Sequence, residues 1–209
     1  MGSSFLTAIH LGLSLYCVIN FFKMLVQFGI PNHPGRFTIY MVSLCASAFF
    51  TLKFLTEINV VNPFLFMKWR ALPLVAASLG LLLQVITVVG SFSQIQQKII
   101  SRIPLMAAVL FFAFFSSKAD YFFGGCILAS VLFLTISVGK ARYQKRMLVK
   151  MTLFLFIFWV FTLFNNFALH IVGELFLFPA LFYFFIFQQS YGVSILVERF
   201  VEQDSGVPS

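Results

Sequence analysis

Residues 151–173 read MTLFLFIFWVFTLFNNFALHIVG, and residues 175–197 read LFLFPALFYFFIFQQSYGVSILV. Neither stretch contains Asp, Glu, Lys or Arg, and Glu174 alone separates them. The runs Leu153–Val160 and Leu175–Phe187 are apolar at nearly every position. A transmembrane barrel strand alternates apolar and polar residues over ~10 positions. A helix that is apolar on all sides belongs in lipid or in a large core. Roughly 20 apolar residues carry a helix across a ~30 Å hydrocarbon layer. The two stretches therefore predict two membrane helices.

The same search outward from this pair finds further charge-free runs at 1–22, 37–52, 71–97, 103–117 and 121–139. Residues 37–52 extend to Thr56 if Lys53 snorkels to the interface, and Ile99 and Ile100 lengthen 103–117. The expectation is an all-α, polytopic integral membrane protein, a single bundle of seven transmembrane helices over residues 1–199. The spans fall at about 4–28, 37–56, 71–93, 99–117, 121–139, 149–172 and 175–198, with residues 200–209 as a cytoplasmic tail. Composition agrees. Hydrophobic residues make up 61% of the 209 and charged residues 10%, against about 45–50% and about 25% in ordinary soluble domains. A water-soluble globular domain is excluded, and so is a disordered chain, which needs low hydrophobicity.

The stretch 58–67 is uncharged but too short to cross, and Asn59, Asn62 and Pro63 are turn formers. It reads as a loop or an interfacial segment, with Trp69 between Lys68 and Arg70 at headgroup level. The other connections are 31–36, 94–102, 118–120 and 140–150. None is long enough for a soluble output domain, so a receptor of this kind would need a separate partner. The first residues lack a basic n-region and an Ala-x-Ala site, so no cleavable signal peptide is expected.

Basic residues in short loops stay on the cytoplasmic side. The 140–150 connection carries Lys140, Arg142, Lys145, Arg146 and Lys150, a basic face that is placed inside. The inside then holds ten Lys and Arg and the outside four, Lys53, Lys68, Arg70 and Lys118. This predicts N-terminus outside and C-terminus in the cytoplasm, in a plasma or inner membrane. The net charge of +8 then follows from the inside rule and attraction to anionic lipid. The basic residues are scattered among the connections, so no nucleic-acid partner is expected.

Polar groups at membrane depth are costly and mark candidate sites. His10, Ser14, Cys17, Asn20 and Gln27 recur at helical spacing on the first span. They fit either hydrogen bonding between helices or a polar path. The sixth span carries Asn165, Asn166 and His170, with Glu174 one turn further. His10, Asn166, His170 and Glu174 are expected to line one outward-facing pocket. The seventh span holds Gln188, Gln189, Ser190, Tyr191 and Ser194, with Pro179 predicting a kink a little over two turns earlier. Ala76-x-x-x-Gly80, Ser43-x-x-x-Ser47 and Gly125-x-x-x-Ala129 mark close helix approach. The 31 phenylalanines, Phe154, Phe156, Phe158, Phe161 and Phe164 among them, serve packing or wall a pocket for an apolar molecule.

Catalytic and cofactor signatures are missing. There is no phosphate-binding loop, dinucleotide fingerprint or His-Glu-x-x-His element. The three cysteines show no Cys-x-x-Cys spacing, and residues 175–197 lack the lysine that a retinal Schiff base needs. No cofactor, no metal site and no catalytic residue are expected. Three functions fit what remains. The first is a receptor-like or partner-binding module for an apolar small molecule, a lipid or a partner membrane protein. The second is a small transporter or channel using the polar faces of the first and seventh spans. The third is intramembrane lipid chemistry at His10 or His170.

Overall fold

The computed structural model describes residues 2–29, 34–89, 119–137, 142–164 and 166–205. Every regular element among them is an α-helix: α1 Gly2–Phe28, α2 Pro34–Glu57, α3 Pro63–Trp69, α4 Ala71–Val89, α5 Ala119–Ser137, α6 Arg142–Leu163 and α7 Phe167–Ser205. Five stretches are long and apolar enough to cross a membrane: Ser4–Phe28, Arg36–Glu57, Pro63–Val85, Tyr143–Leu163 and Phe167–Ile195. α5 adds a shorter apolar stretch, Ile127–Ile136. The all-helical, multi-pass membrane class expected from the sequence is thus present. The predicted span 99–117 lies outside the described residues.

Several predicted boundaries move. The stretch read as a loop or interfacial segment at 58–67 ends in the short helix α3, which runs on to Trp69. The Asn62 side chain accepts from the Phe64 N–H at 2.9 Å, and Pro63 fills the first helical position, where its missing donor costs nothing. Asn59 takes a left-handed backbone, φ 59°, which asparagine tolerates better than most residues. The predicted 140–150 loop is helical from Arg142 onward, because Arg, Gln, Lys and Met are good helix formers. The sixth predicted span, 149–172, is broken. α6 stops at Leu163, and Asn166 starts α7 by accepting from the Ala168 and Leu169 N–H groups at 2.9 and 3.4 Å. Asparagine at a helix start satisfies donors that the first turn leaves orphaned. His170 and Glu174 therefore belong to the last helix. That helix passes through Pro179 without interruption and reaches Ser205, so most of the predicted 200–209 tail is its continuation.

Short connections make sequential helices antiparallel neighbours. Around the bundle the packing order is α1, α2, α4, α5, α6, α7 and back to α1, and α7 also touches α2 across the middle. The end of α1 is held by α2. Gly29 adopts φ 63° just past the helix, Tyr40 donates to its carbonyl at 2.6 Å, and the buried Arg36 donates to the Phe28 carbonyl at 3.1 Å. A cation on final helical carbonyls is favoured by the helix dipole.

The core is built from one face of each helix. Leu13, Cys17 and Met24 come from α1, Ile39, Val42 and Phe50 from α2, Val131 and Leu134 from α5, and Phe184, Phe185 and Phe187 from α7. Gly80 brings α4 against Val42, as its small-residue spacing predicted. Phenylalanine joins α6 to α7. Phe154 stacks on Tyr183 at 5.8 Å and on Phe176 at 6.1 Å, and Phe161 stacks on Phe176 at 6.1 Å. Offset aromatic pairs of this kind add ~0.5–1.5 kcal/mol beyond area burial. Val26, Ile136, Val193 and Phe182 point outward, the pattern of a lipid-facing rim.

Candidate functional site

Glu174 lies two turns into α7, with 1% of its surface exposed. A carboxylate so deep needs charged or hydrogen-bonding partners. Three helices supply them. Lys53, one turn before the end of α2, donates from Nζ to Glu174 Oε1 at 2.6 Å. His10, on the third turn of α1, brings Nε2 to 3.4 Å from Glu174 Oε2. Its other nitrogen, Nδ1, lies 2.6 Å from Glu57 Oε1. His170, one turn before Glu174, places Nδ1 4.0 Å from Glu174 Oε1. Neither His10 contact has hydrogen-bond alignment.

The cluster sits at one end of the bundle, where α1 begins, α2 ends and α7 begins. Beneath it lies a cavity of about 510 Å³ enclosed by α2 to α7. Its walls are apolar and aromatic, with Phe49, Phe50, Phe158, Leu155 and Leu81 among them. Its charged mouth is formed by Lys53, Arg70, His170 and Glu174, and Trp159 stands beside them. Trp159 Nε1 is buried without a hydrogen-bond acceptor. Pockets of about 300–1,000 Å³ with apolar walls and a few placed polar groups are the usual small-molecule sites.

One helical turn below Leu81 and Phe184, Gln84 and Gln188 meet. Gln84 Nε2 donates to Gln188 Oε1 at 2.7 Å, and Gln188 Nε2 donates to Gln84 Oε1 at 3.1 Å. Both side chains are fully buried. The reciprocal amide pair satisfies both groups and ties α4 to α7 beyond the cavity floor.

Of the four residues expected to share one pocket, the structure brings three close together. His10, His170 and Glu174 come together, whereas Asn166 is exposed and spent on capping α7. Asn165 lies outside the described residues. On α1, Ser14 bonds Thr51 of α2 at 2.8 Å, a bond between helices. Asn20 donates back to the Tyr16 carbonyl at 2.8 Å, and Gln27 is exposed, so the stripe splits into local roles. On α7, Gln188 pairs with Gln84, Gln189 is half-buried, and the buried Tyr191 stacks on Phe187 at 5.9 Å. Ser190 and Ser194 receive Gln144 at 3.4 and 3.5 Å. Of the basic face, Lys145, Arg146 and Lys150 are exposed along the start of α6. Arg142 opens that helix, and Lys140 lies outside the described residues.

Sequence reasoning missed Lys53, Glu57, Arg70, Gln84 and Trp159 at this site. Lys53 was expected to snorkel. Instead it turns inward to Glu174, because a buried carboxylate offers a better partner than the interface. The available signal was charge balance: Glu174 between two apolar stretches required a cation, and Lys53 is the basic residue embedded in a neighbouring span. Among the described residues, no group of three His, Cys, Asp or Glu side chains is arranged to hold a metal ion.

Comparison with known proteins yields no matching family model, no matching curated protein and no matching solved structure.

Proposed function

We propose that the chain is a seven-span, receptor-like ligand-binding membrane protein, with its N-terminus outside and its C-terminus in the cytoplasm of a plasma or inner membrane. Helix direction supports the count. α1 runs from the mouth end to the far end, α2 returns, and α4 runs away again. α7 starts beside Lys53 and His10 and later meets Gln84, so it runs parallel to α4. α6 precedes α7 by a short turn and runs the opposite way. α5, joined to α6 by four residues, runs parallel to α4. Two parallel neighbours joined by residues 90–118 fit a return crossing in that connection, which supports the proposed count. Those 29 residues hold the predicted span 99–117 and would cover ~43 Å as a helix, more than the ~30 Å hydrocarbon layer. Lys145, Arg146 and Lys150 lie at the end opposite the mouth, and the positive-inside rule makes that end cytoplasmic.

The observation that carries the binding function is the cavity with apolar walls and a charged mouth. It favours a receptor-like site over a through-path, because Leu81, Phe184 and the Gln84–Gln188 pair close its inner side. Ligand occupancy would be read out by a partner at the basic cytoplasmic face. The test is photolabelling of the protein in lipid vesicles with a diazirine-bearing apolar probe. Labels on peptides carrying Phe49, Phe158 and Phe184, displaced by excess unlabelled probe, support the reading. Labels confined to outward residues such as Val26, Ile136 and Val193 refute it.

A further inference from the structure

We infer that α1, α6 and α7 together hold an anionic phospholipid of the leaflet opposite the mouth, with an acyl chain in an aromatic groove and the head group at Lys23, Arg146 and Lys150. In the proposed orientation that leaflet is the cytoplasmic one. The site is separate from the cavity and uses other faces of α6 and α7. Three observations converge.

The first is the groove. α7 lies between α1 and α6. Its Phe178, Pro179, Phe182 and Tyr183 form a floor between Tyr16 of α1 and Phe154 of α6. The cavity takes Leu177, Leu181 and Phe184 from α7 instead. Phe182 is 49% exposed, and the Phe154–Tyr183 stack ties the α6 wall to the floor. An aromatic groove that faces the hydrocarbon layer is reached by a lipid chain and not by a water-soluble ligand.

The second is depth. Towards the end opposite the mouth, Tyr16 is 12 residues from Phe28, Phe154 is 11 from Tyr143, and Tyr183 is 12 from Ile195, where the three membrane stretches reach their limits. At ~1.5 Å per residue this is ~16–18 Å, close to half of the ~30 Å hydrocarbon layer. A chain whose head group sits at that end therefore reaches the groove with its far half.

The third is charge on both walls, placed towards that same end. On α6, Lys150 and Arg146 lie one and two turns before Phe154, on one stripe of the helix. On α1, Lys23 lies two turns past Tyr16 on the same face. All three are exposed. Lys150 Nζ stands 5.0 Å from the centre of the Tyr183 ring, so one cation already rests on the groove floor. The carboxylates whose side chains are described, Glu57 and Glu174, lie at the mouth, so none of the three cations has a described carboxylate beside it. Long basic side chains extend to head-group level while their stems stay in apolar surroundings. Cations on two walls suit a phosphate with net negative charge. A zwitterionic head group brings an opposing ammonium, and a sterol brings no charge.

The experiment uses the full chain in phosphatidylcholine nanodiscs. The probe is phosphatidylglycerol with a diazirine at the end of one acyl chain, and labels are mapped residue by residue. Competitors are unlabelled phosphatidylglycerol, phosphatidylcholine with the same chains, a sterol and glycerol phosphate. Saturable labelling of Tyr16, Phe154 and Phe182 is expected. A basic residue at a membrane surface is worth about a factor of five for an anionic lipid, so phosphatidylglycerol should displace the label at least about tenfold better than phosphatidylcholine. Lys23→Gln, Arg146→Gln and Lys150→Gln combined should bring the two lipids within about twofold. Diazirine-bearing phosphatidylcholine should still label the groove of that variant, which separates loss of head recognition from a folding defect. Phosphatidylcholine or the sterol matching phosphatidylglycerol overturns the anionic head group. Displacement by glycerol phosphate as well as by whole lipid overturns the chain. Labels as dense on the outward Ile136 of α5 as in the groove overturn the site in favour of general attraction to the basic end. Labels on Phe49 in place of the groove overturn this site and leave the cavity reading standing.

Discussion

Lys53 and Glu174, 121 residues apart, meet at 2.6 Å between α2 and α7. The contact fixes the mouth end of the bundle, because Glu174 also lies 3.4 Å from His10 Nε2 of α1 and borders the cavity. Removing one partner of a buried pair leaves an uncompensated charge, which costs ~3–5 kcal/mol, whereas replacing both with apolar residues is often neutral. Lys53→Met should lower the thermal unfolding midpoint markedly, and Lys53→Met with Glu174→Leu should recover most of the loss. A double variant as unstable as the sum of its single variants would show that the pair does not act as a unit.

The Gln84–Gln188 pair should be coupled. Side-chain hydrogen bonds between membrane helices are worth ~0.6 kcal/mol on average and up to ~1.7 kcal/mol. A double-mutant cycle with Gln84→Leu and Gln188→Leu, read by unfolding in mixed micelles, should give a coupling in that range. A coupling of zero would mean that each amide finds another partner without cost.

Two glycines should respond with opposite sign to the same substitution. A Cβ on Gly192 would lie 2.6 Å from Phe28 Cζ, whereas a Cβ on Gly125 would meet nothing within 4 Å. Phe28 is buried, so Gly192→Ala overpacks the contact between α1 and α7 and should destabilise by ~1–3 kcal/mol. Gly125→Ala gains helix propensity of up to ~1 kcal/mol and should stabilise or be neutral. Melting of both variants in the same detergent checks the pair.

Membrane crossings can be read from the sides on which short turns emerge. In a background with Cys126→Ala, a membrane-impermeant thiol reagent should label Asn59→Cys and Phe164→Cys from one face and Tyr143→Cys from the other. Cys17 is buried and Cys45 half-buried, which keeps both silent. Labelling of Tyr143→Cys from the same face as Asn59→Cys, with Phe164→Cys labelled from the other, would remove the return crossing proposed for residues 90–118. Labelling of Tyr143→Cys from the outside would invert the orientation.

Helix class and membrane placement were legible because they depend on where charge is absent, and absence is visible along the chain. Gly80 was legible for the same local reason, since small-residue spacing marks close approach. The boundary between α6 and α7 was hidden because Asn165 and Asn166 were read as polar groups inside a span, while Asn166 acts as a helix cap. His10, His170 and Glu174 were found because ionisable groups in apolar stretches stand out. Their cation was missed because Lys53 lies close enough to a helix end to reach either the interface or the core, and tertiary packing decides between the two. Gln84 was missed because a lone amide in an apolar helix signals nothing until its partner on α7 is known.

The central claim is that the cavity beneath the Lys53–Glu174 pair binds an apolar small molecule. An experimental structure of the protein in lipid nanodiscs, with non-protein density resolved inside the bundle, tests it most directly. The account predicts a non-protein density between Phe49 and Phe158 that stops above the Gln84–Gln188 pair. A cavity closed by the protein's own side chains, or filled only by water reaching the opposite face, would contradict it.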